Sequence, residues 1–124
     1  MLIKFKHHLE NNFLHLKGKK LLLATSGGID SIVLVHLFQQ LKFQIAIAHC
    51  NFNLRAKESN ADENFVKQFA EENQIPFYTN SFQTEAYANE NKLSIQLAAR
   101  KLRYDWFNEV LVKENYDYIT TGHH

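Results

Sequence analysis

The chain has 124 residues, 45% of them hydrophobic and 22% charged, with a formal net charge of +1. That is enough for one domain with its own apolar core and too little for two full ones. No apolar run reaches membrane-spanning length, residues 1–8 are too polar for a secretory signal, and the near-neutral charge carries no bulk electrostatic footprint for nucleic acid. A single cysteine, Cys50, excludes a disulfide framework and fits a reducing, cytoplasmic setting.

Residues 2–16 carry Phe5, Leu9, Phe13 and Leu16 at near-helical spacing, with Leu2 and Ile3 beside them. This predicts an amphipathic helix that ends before Gly18, so that 1–18 form a helix and linker and 19–124 the domain proper. The Lys17, Lys19 and Lys20 cluster solubilises the loop around Gly18. Residues 20–25 predict a buried strand, 26–31 a glycine-rich loop, and 32–38 the buried part of a helix reaching about residue 41. Residues 44–49 predict a second strand, and the intervening helix makes the pair parallel. Residues 50–58 then form a loop. Ser59-Asn60-Ala61-Asp62 reads as a capping-box variant. It opens a helix with Phe65, Phe69 and Ala70 on its apolar face, ending near Gln74.

Pro76 blocks further helix, and residues 77–80 predict a third strand. Residues 82–92 are polar and read as a short helix over a loop. Ser94 caps a long helix to about residue 115, with Ile95, Ala98, Ala99, Leu102, Trp106 and Val110 as its buried stripe. Gln96, Arg100 and Arg103 share a different face. Residues 116–121 predict a fourth strand, followed by Gly122-His123-His124. The alternation implies an α/β fold: a doubly wound, Rossmann-like parallel sheet with right-handed crossovers. Such sheets bind ligands outside the carboxyl ends of their strands, where strand order reverses. Segments 26–31, 49–55 and 122–124 all fall at strand carboxyl ends.

The first of these segments, Ser26-Gly27-Gly28-Ile29-Asp30-Ser31, carries the chemistry. Adjacent glycines let the backbone approach a ligand, successive N–H groups make an anion-binding concavity, and the following helix adds its unpaired N–H groups and positive dipole end. Asp30 fits such a loop if a divalent cation bridges it to phosphate, or if it caps the helix. The loop is neither a Walker A pattern nor G-x-G-x-x-G. A plain Ser/Gly turn capped by Asp30 is the structural alternative. Likewise, His49 can be a satisfied strand-end histidine, Arg100 and Arg103 a solvated face paired with Gln96 or Glu109, and His123 and His124 a frayed terminus. No Cys/His pair has zinc-ligand spacing.

The pattern S-G-G-x-D-S resembles the pyrophosphate loop of ATP pyrophosphatases, of the adenine nucleotide alpha hydrolase type. Three further segments are similar to those of tRNA(Ile)-lysidine synthetases. They are His49-Cys50-Asn51-Phe52-Asn53-Leu54-Arg55 with Glu58-Ser59, the helix from Ser94 through Arg100 and Arg103 to Tyr104, and Thr121-Gly122-His123-His124. That family adenylates the wobble cytidine of an isoleucine tRNA with ATP and then joins L-lysine to it. The resemblance implies that Ser26, Gly27, Gly28, Ile29, Asp30 and Ser31 bind the pyrophosphate portion of ATP, that Ala24 and the strand end at His49 flank the adenosine, and that Asn51 also binds ATP. It implies that Asp30 helps place Mg²⁺, that Asp30, Arg100, Arg103 and His123 serve catalysis, the two arginines offsetting the charge of the phosphates or of the RNA, and that Arg55 touches the tRNA, whose anticodon is CAU. It leaves a homo-oligomer open and implies no membrane partner. Relatives continue past T-G-H-H, so the chain is expected to be an N-terminal fragment, truncated after the fourth strand and poorly active alone. Two other readings share the loop: a tRNA-thiolating ATP pyrophosphatase, which usually needs paired cysteines, and a non-catalytic nucleotide-binding module.

Overall fold

A computed structural model describes residues 18–55 and 57–120. Their elements in chain order are β1 (Lys20–Ala24), α1 (Ile29–Gln40), β2 (Gln44–Asn51), α2 (Lys57–Glu72), β3 (Phe77–Ser81), α3 (Thr84–Asn91), α4 (Ile95–Lys113) and β4 (Tyr118–Thr120). The strands form one sheet in the order β3-β2-β1-β4, and every neighbouring pair is parallel. The predicted doubly wound α/β sheet is therefore the observed one. The predicted helix over residues 2–16 lies outside the described residues, as do residues 121–124.

β1 is central because its apolar run serves both faces. Leu21 and Leu23 enter one cluster with Val35 and Phe38 of α1, Ile47 of β2, and Val66 and Ala70 of α2. Leu22 enters the other with Ala46 and Ala48 of β2 and Phe107 and Val110 of α4. Alternation along a strand produces this split directly. The result is three layers, with α1 and α2 on one face and α4 on the other. The chain steps outward from β1 to β3, then returns past β1 to β4. Strand order thus reverses at β1, which puts the carboxyl ends of β1 and β4 at the switch point.

The four described helices close in one way. Each is followed by a non-glycine residue in the left-handed region: Lys42, Gln74, Lys92 and Asn115. The next residue, Phe43, Ile75, Leu93 or Tyr116, returns its N–H to a carbonyl of the last helical turn at 2.9–3.2 Å. This is the Schellman closure, with an apolar residue just beyond it. It stops the helix without glycine and aims the chain at the next strand.

Local departures from the predicted elements have physical causes. β2 runs two residues further than predicted, because Cys50 and Asn51 find ladder partners in Asn80 and Ser81 of β3. α2 starts before Ser59, which is not its cap. The Ser59 hydroxyl lies inside the first turn and accepts the Arg55 N–H at 3.2 Å. Phe65 is 51% exposed while Val66 is fully buried. α2 meets the sheet at the small side chains of Val66 and Ala70, and a phenylalanine there would hold the layers apart. In α4, Phe107 enters the core, and Ile95 stays exposed in the first turn. Ser94 does cap α4, accepting the Leu97 N–H at 3.1 Å.

Candidate functional site

β1 ends in a turn that is fixed from several sides. Thr25 extends the ladder by donating its N–H to Ala48 O at 2.9 Å, and it is buried. Gly27 then takes φ +101°, a conformation that side chains rarely adopt, whereas Gly28 has φ −73° and is the N-cap of α1. Gly27 also backs onto α2. A Cβ there would lie 3.4 Å from Val66 Cγ2 and 3.5 Å from Asp62 Cβ. The two serines brace the turn internally. The Ser31 hydroxyl donates to Gly28 O at 2.9 Å and accepts the Gly27 N–H at 3.3 Å, and Ser26 Oγ accepts the Gly28 N–H at 3.3 Å.

The first bond of α1 runs from Ile32 N–H to Gly28 O, so the amides of Ile29, Asp30 and Ser31 precede the helical ladder and have no partner within it. They share the exposed tip of the turn with the positive end of the helix dipole. Asp30 stands in the first turn of α1, and the cap position belongs to Gly28 with no side-chain bond. The capping role considered for Asp30 is therefore not what the structure has. Asp30 is exposed and makes no ion pair among the described residues. Ala24, half-buried, pairs with Ala48 at the last rung before the turn.

The end of β2 forms the second wall. His49 is 3% exposed, and its Nδ1 lies 2.8 Å from Thr25 O. A carbonyl only accepts, so Nδ1 carries the proton, which ties the end of β2 to the start of the glycine turn. Asn51 is equally buried and faces α2. Its amide donates to Asn60 Oδ1 at 2.9 Å and to Glu63 Oε1 at 3.1 Å, and its oxygen accepts the Asn53 N–H at 3.0 Å. Asn53 in turn donates to Ser81 Oγ and Phe82 O. This segment is thus a clamp joining β2, α2 and β3, and the hydrogen bonds of Asn51 are directed into it. Arg55 sits apart, in a highly exposed pair with Glu58 at 3.7 Å, of the kind that contributes little.

The first half of α4 lies on the opposite face of the sheet. Because β4 is parallel to β1, α4 descends from the carboxyl edge of the sheet toward its amino edge. Arg100 and Arg103 lie in its upper half, and Trp106, one turn further on, meets Phe82 in a row of rings that continues to Phe52. Arg103 is close enough to Cys50 to oppose its shift. Burial pushes the Cys50 thiol up to about 12, and the nearby guanidinium holds it partly back. Arg103 Nε is buried without a hydrogen-bond acceptor. Neither arginine pairs with Gln96 or Glu109; both instead sit over the ring of Tyr104.

The carboxyl edge therefore joins the turn 26–31 to His49, and Arg103 lies beside Cys50 of the same strand on the opposite face of the sheet, while His123 lies outside the described residues. Sequence reasoning used Asp62 only as a capping residue, yet the structure sets it beside Gly27. The signal that it shares one end of α2 with the Gly27-facing Val66 needs the fold to be read. A separate groove of about 480 Å³ lies between β3 and the lower half of α4, lined by Tyr78, Asn80, Trp106, Glu109 and Lys113. Among the described residues, no group of three or more His, Cys, Asp or Glu is placed to hold a metal ion, and no helix is long and apolar enough to cross a membrane.

Fold and turn together define the class: a doubly wound parallel α/β domain with an anion-receptive strand–turn–helix at its switch point. The sequence profile of the PP-loop domain family matches residues 1–124, and the chain belongs to that family. A tRNA(Ile)-lysidine synthase of Bacteroides thetaiotaomicron is 41% identical over 117 residues, covering 94% of this chain and 28% of that protein. One from Chlorobaculum tepidum is 42% identical over 125 residues, covering 98% of this chain and 38% of that protein. The chain thus spans about a third of the length of these relatives. Among solved structures, the NH3-dependent NAD synthetase from Campylobacter jejuni superposes with a TM-score of 0.70 at 16% identity, over 94% of this chain and 53% of that one, a likeness of fold.

Proposed function

We propose that this chain is the ATP-binding part of an enzyme that ligates L-lysine to the wobble cytidine of an isoleucine tRNA with a CAU anticodon, through an adenylated cytosine. The observation that carries the ATP reading is the exposed turn 26–31, braced by its serine hydroxyls, whose free amides stand at the switch point of the sheet. The choice of reaction within the PP-loop family is supported by the curated relatives at 41% and 42% identity.

In this reading the cytosine C2 oxygen attacks the α-phosphate, and negative charge grows on the departing pyrophosphate. The amides of Ile29, Asp30 and Ser31 meet that charge as fixed donors that need no reorganisation. His49 and Thr25 hold the adenosine side of the cleft rigid through their 2.8 Å contact. Arg100 and Arg103, free of carboxylate partners among the described residues, add guanidinium forks suited to phosphate. Asp30 and the phosphates would hold Mg²⁺, which neutralises phosphate charge. A single exposed carboxylate suits an ion that takes few protein ligands beside substrate phosphate. Arg55 is proposed to touch tRNA and His123 to complete the catalytic group. Burial of Cys50, with its thiol pushed up to about 12, weighs against a sulfur-carrying role and so against thiolation.

The test uses the intact protein that carries this chain, with ATP, Mg²⁺, labelled lysine and unmodified isoleucine tRNA. Lysine incorporation that falls by about 100-fold or more in Asp30→Ala supports the reading. AMP release that requires a sulfur donor, without lysine transfer, replaces it with thiolation. Saturable ATP binding with neither reaction leaves a nucleotide-binding module.

A further inference from the structure

We propose that Tyr104 is a positioning residue that holds the guanidinium groups of Arg100 and Arg103 together as one receptor for the pyrophosphate end of ATP; the proposal rests on the ATP reading above. Arg103 Cζ lies 5.1 Å and Arg100 Cζ 5.6 Å from the centre of the Tyr104 ring. Neither arginine has a carboxylate partner among the described residues, and Asp105 next to the ring is engaged with Lys101 at 3.6 Å. Arg103 Nε is buried with no acceptor.

Two cations that share one ring without a counter-charge repel, and their long side chains gain entropy by moving into solvent. Something must hold them. An acidic residue would do so at the cost of occupying the guanidinium forks and repelling phosphate. The electron-rich face of a tyrosine attracts both groups without using their N–H donors. The ring is 40% exposed and anchored along one edge, standing edge-on at 6.5 Å to Phe107, which is 2% exposed. The rigid α4 backbone and the Phe107 edge thus orient the ring, and the ring orients the arginines. Arg55 shows the contrasting arrangement, paired to Glu58 and without an aromatic support.

The experiment measures inorganic pyrophosphate binding to the intact protein by calorimetry, with circular dichroism and thermal melting as checks on folding. Tyr104→Phe keeps the ring and is expected to bind within about twofold of the parent, whereas Tyr104→Leu weakens binding by roughly 3- to 10-fold. Where Tyr104→Leu fails to fold, Tyr104→Met carries the same expectation, since it keeps apolar contact with Phe107 without offering a ring face to the cations. In a background of Arg100→Ala with Arg103→Ala, removing the ring is expected to change nothing further. Equal weakening by Phe and Leu, or an undiminished effect of Leu in the arginine-free background, overturns the proposal. Pyrophosphate binding that survives loss of both arginines instead overturns the phosphate assignment beneath it.

Discussion

The two adjacent glycines of the turn are not equivalent, and their alanine variants are expected to separate cleanly. At Gly27 the backbone sits at φ +101°, and a Cβ would meet Val66 Cγ2 at 3.4 Å and Asp62 Cβ at 3.5 Å. Those distances are ordinary contacts, so the cost of Gly27→Ala is backbone strain, about 1–3 kcal/mol. At Gly28 φ is −73° and ψ 161°, and a Cβ would meet only Ser26 Oγ at 3.6 Å. Gly28→Ala therefore loses only the modest N-cap preference of glycine over alanine, about 0.5–1 kcal/mol. Gly28→Ser, in the same extended conformation, supplies a capping oxygen and is expected to match or exceed the parent. With a urea slope of about 1–1.5 kcal/mol/M, a 2 kcal/mol loss lowers the unfolding midpoint by roughly 1.5 M. Urea titrations of the three variants, each paired with ATP binding, give the comparison. Relief of the strain also turns the Gly27 N–H away from Ser31 Oγ, so ATP affinity is expected to fall in Gly27→Ala even below its denaturation midpoint. Equal midpoints for Gly27→Ala and Gly28→Ala would refute the claim that the turn depends on a positive φ.

Two further outcomes follow from buried groups away from the turn. Asn51→Ala is expected to destabilise by about 2–3 kcal/mol, because it leaves Asn60, Glu63 and the Asn53 N–H without their buried partner; a urea midpoint within error of the parent sinks this account. Stability is expected to decline in alkali. Burial raises the Cys50 thiol from 9.0 to about 12 and also raises the Tyr116 hydroxyl, beside Tyr78 at 3.3 Å. Both groups keep their protons longer when folded, so their contribution is whole below pH 9.0 and is lost as pH climbs toward 12. Cys50→Ala should flatten the urea-midpoint profile between about pH 8 and about pH 11; an unchanged slope would place the alkaline loss elsewhere.

Much of this architecture is written in local patterns. The run Leu21-Leu22-Leu23 can bury both faces only in a central strand. Ser94 ahead of an apolar-periodic segment marks a helix start with its own hydroxyl. The strand–glycine turn–helix order puts free amides at the end of β1 whatever the rest of the chain does, because the first turn of any helix leaves them unpaired. Those features need only neighbours in sequence, and so sequence determined them.

What depended on tertiary structure was which of several equivalent groups serves which surface. Phe65 and Val66 are both apolar and one helical step apart, and only the close approach of α2 to the sheet and to Gly27 selects the smaller one. Asn51 and His49 occupy the same strand end, yet Asn51 turns its amide into α2 while His49 holds the glycine turn. Gln96 stands at helical spacing from both arginines, but the descent of α4 beside Cys50 and the placement of Tyr104 on Phe107 leave Arg100 and Arg103 on a ring and not on that amide. Contacts across 24, 12 or more residues of chain set these choices, and periodicity along a single element carries no information about them.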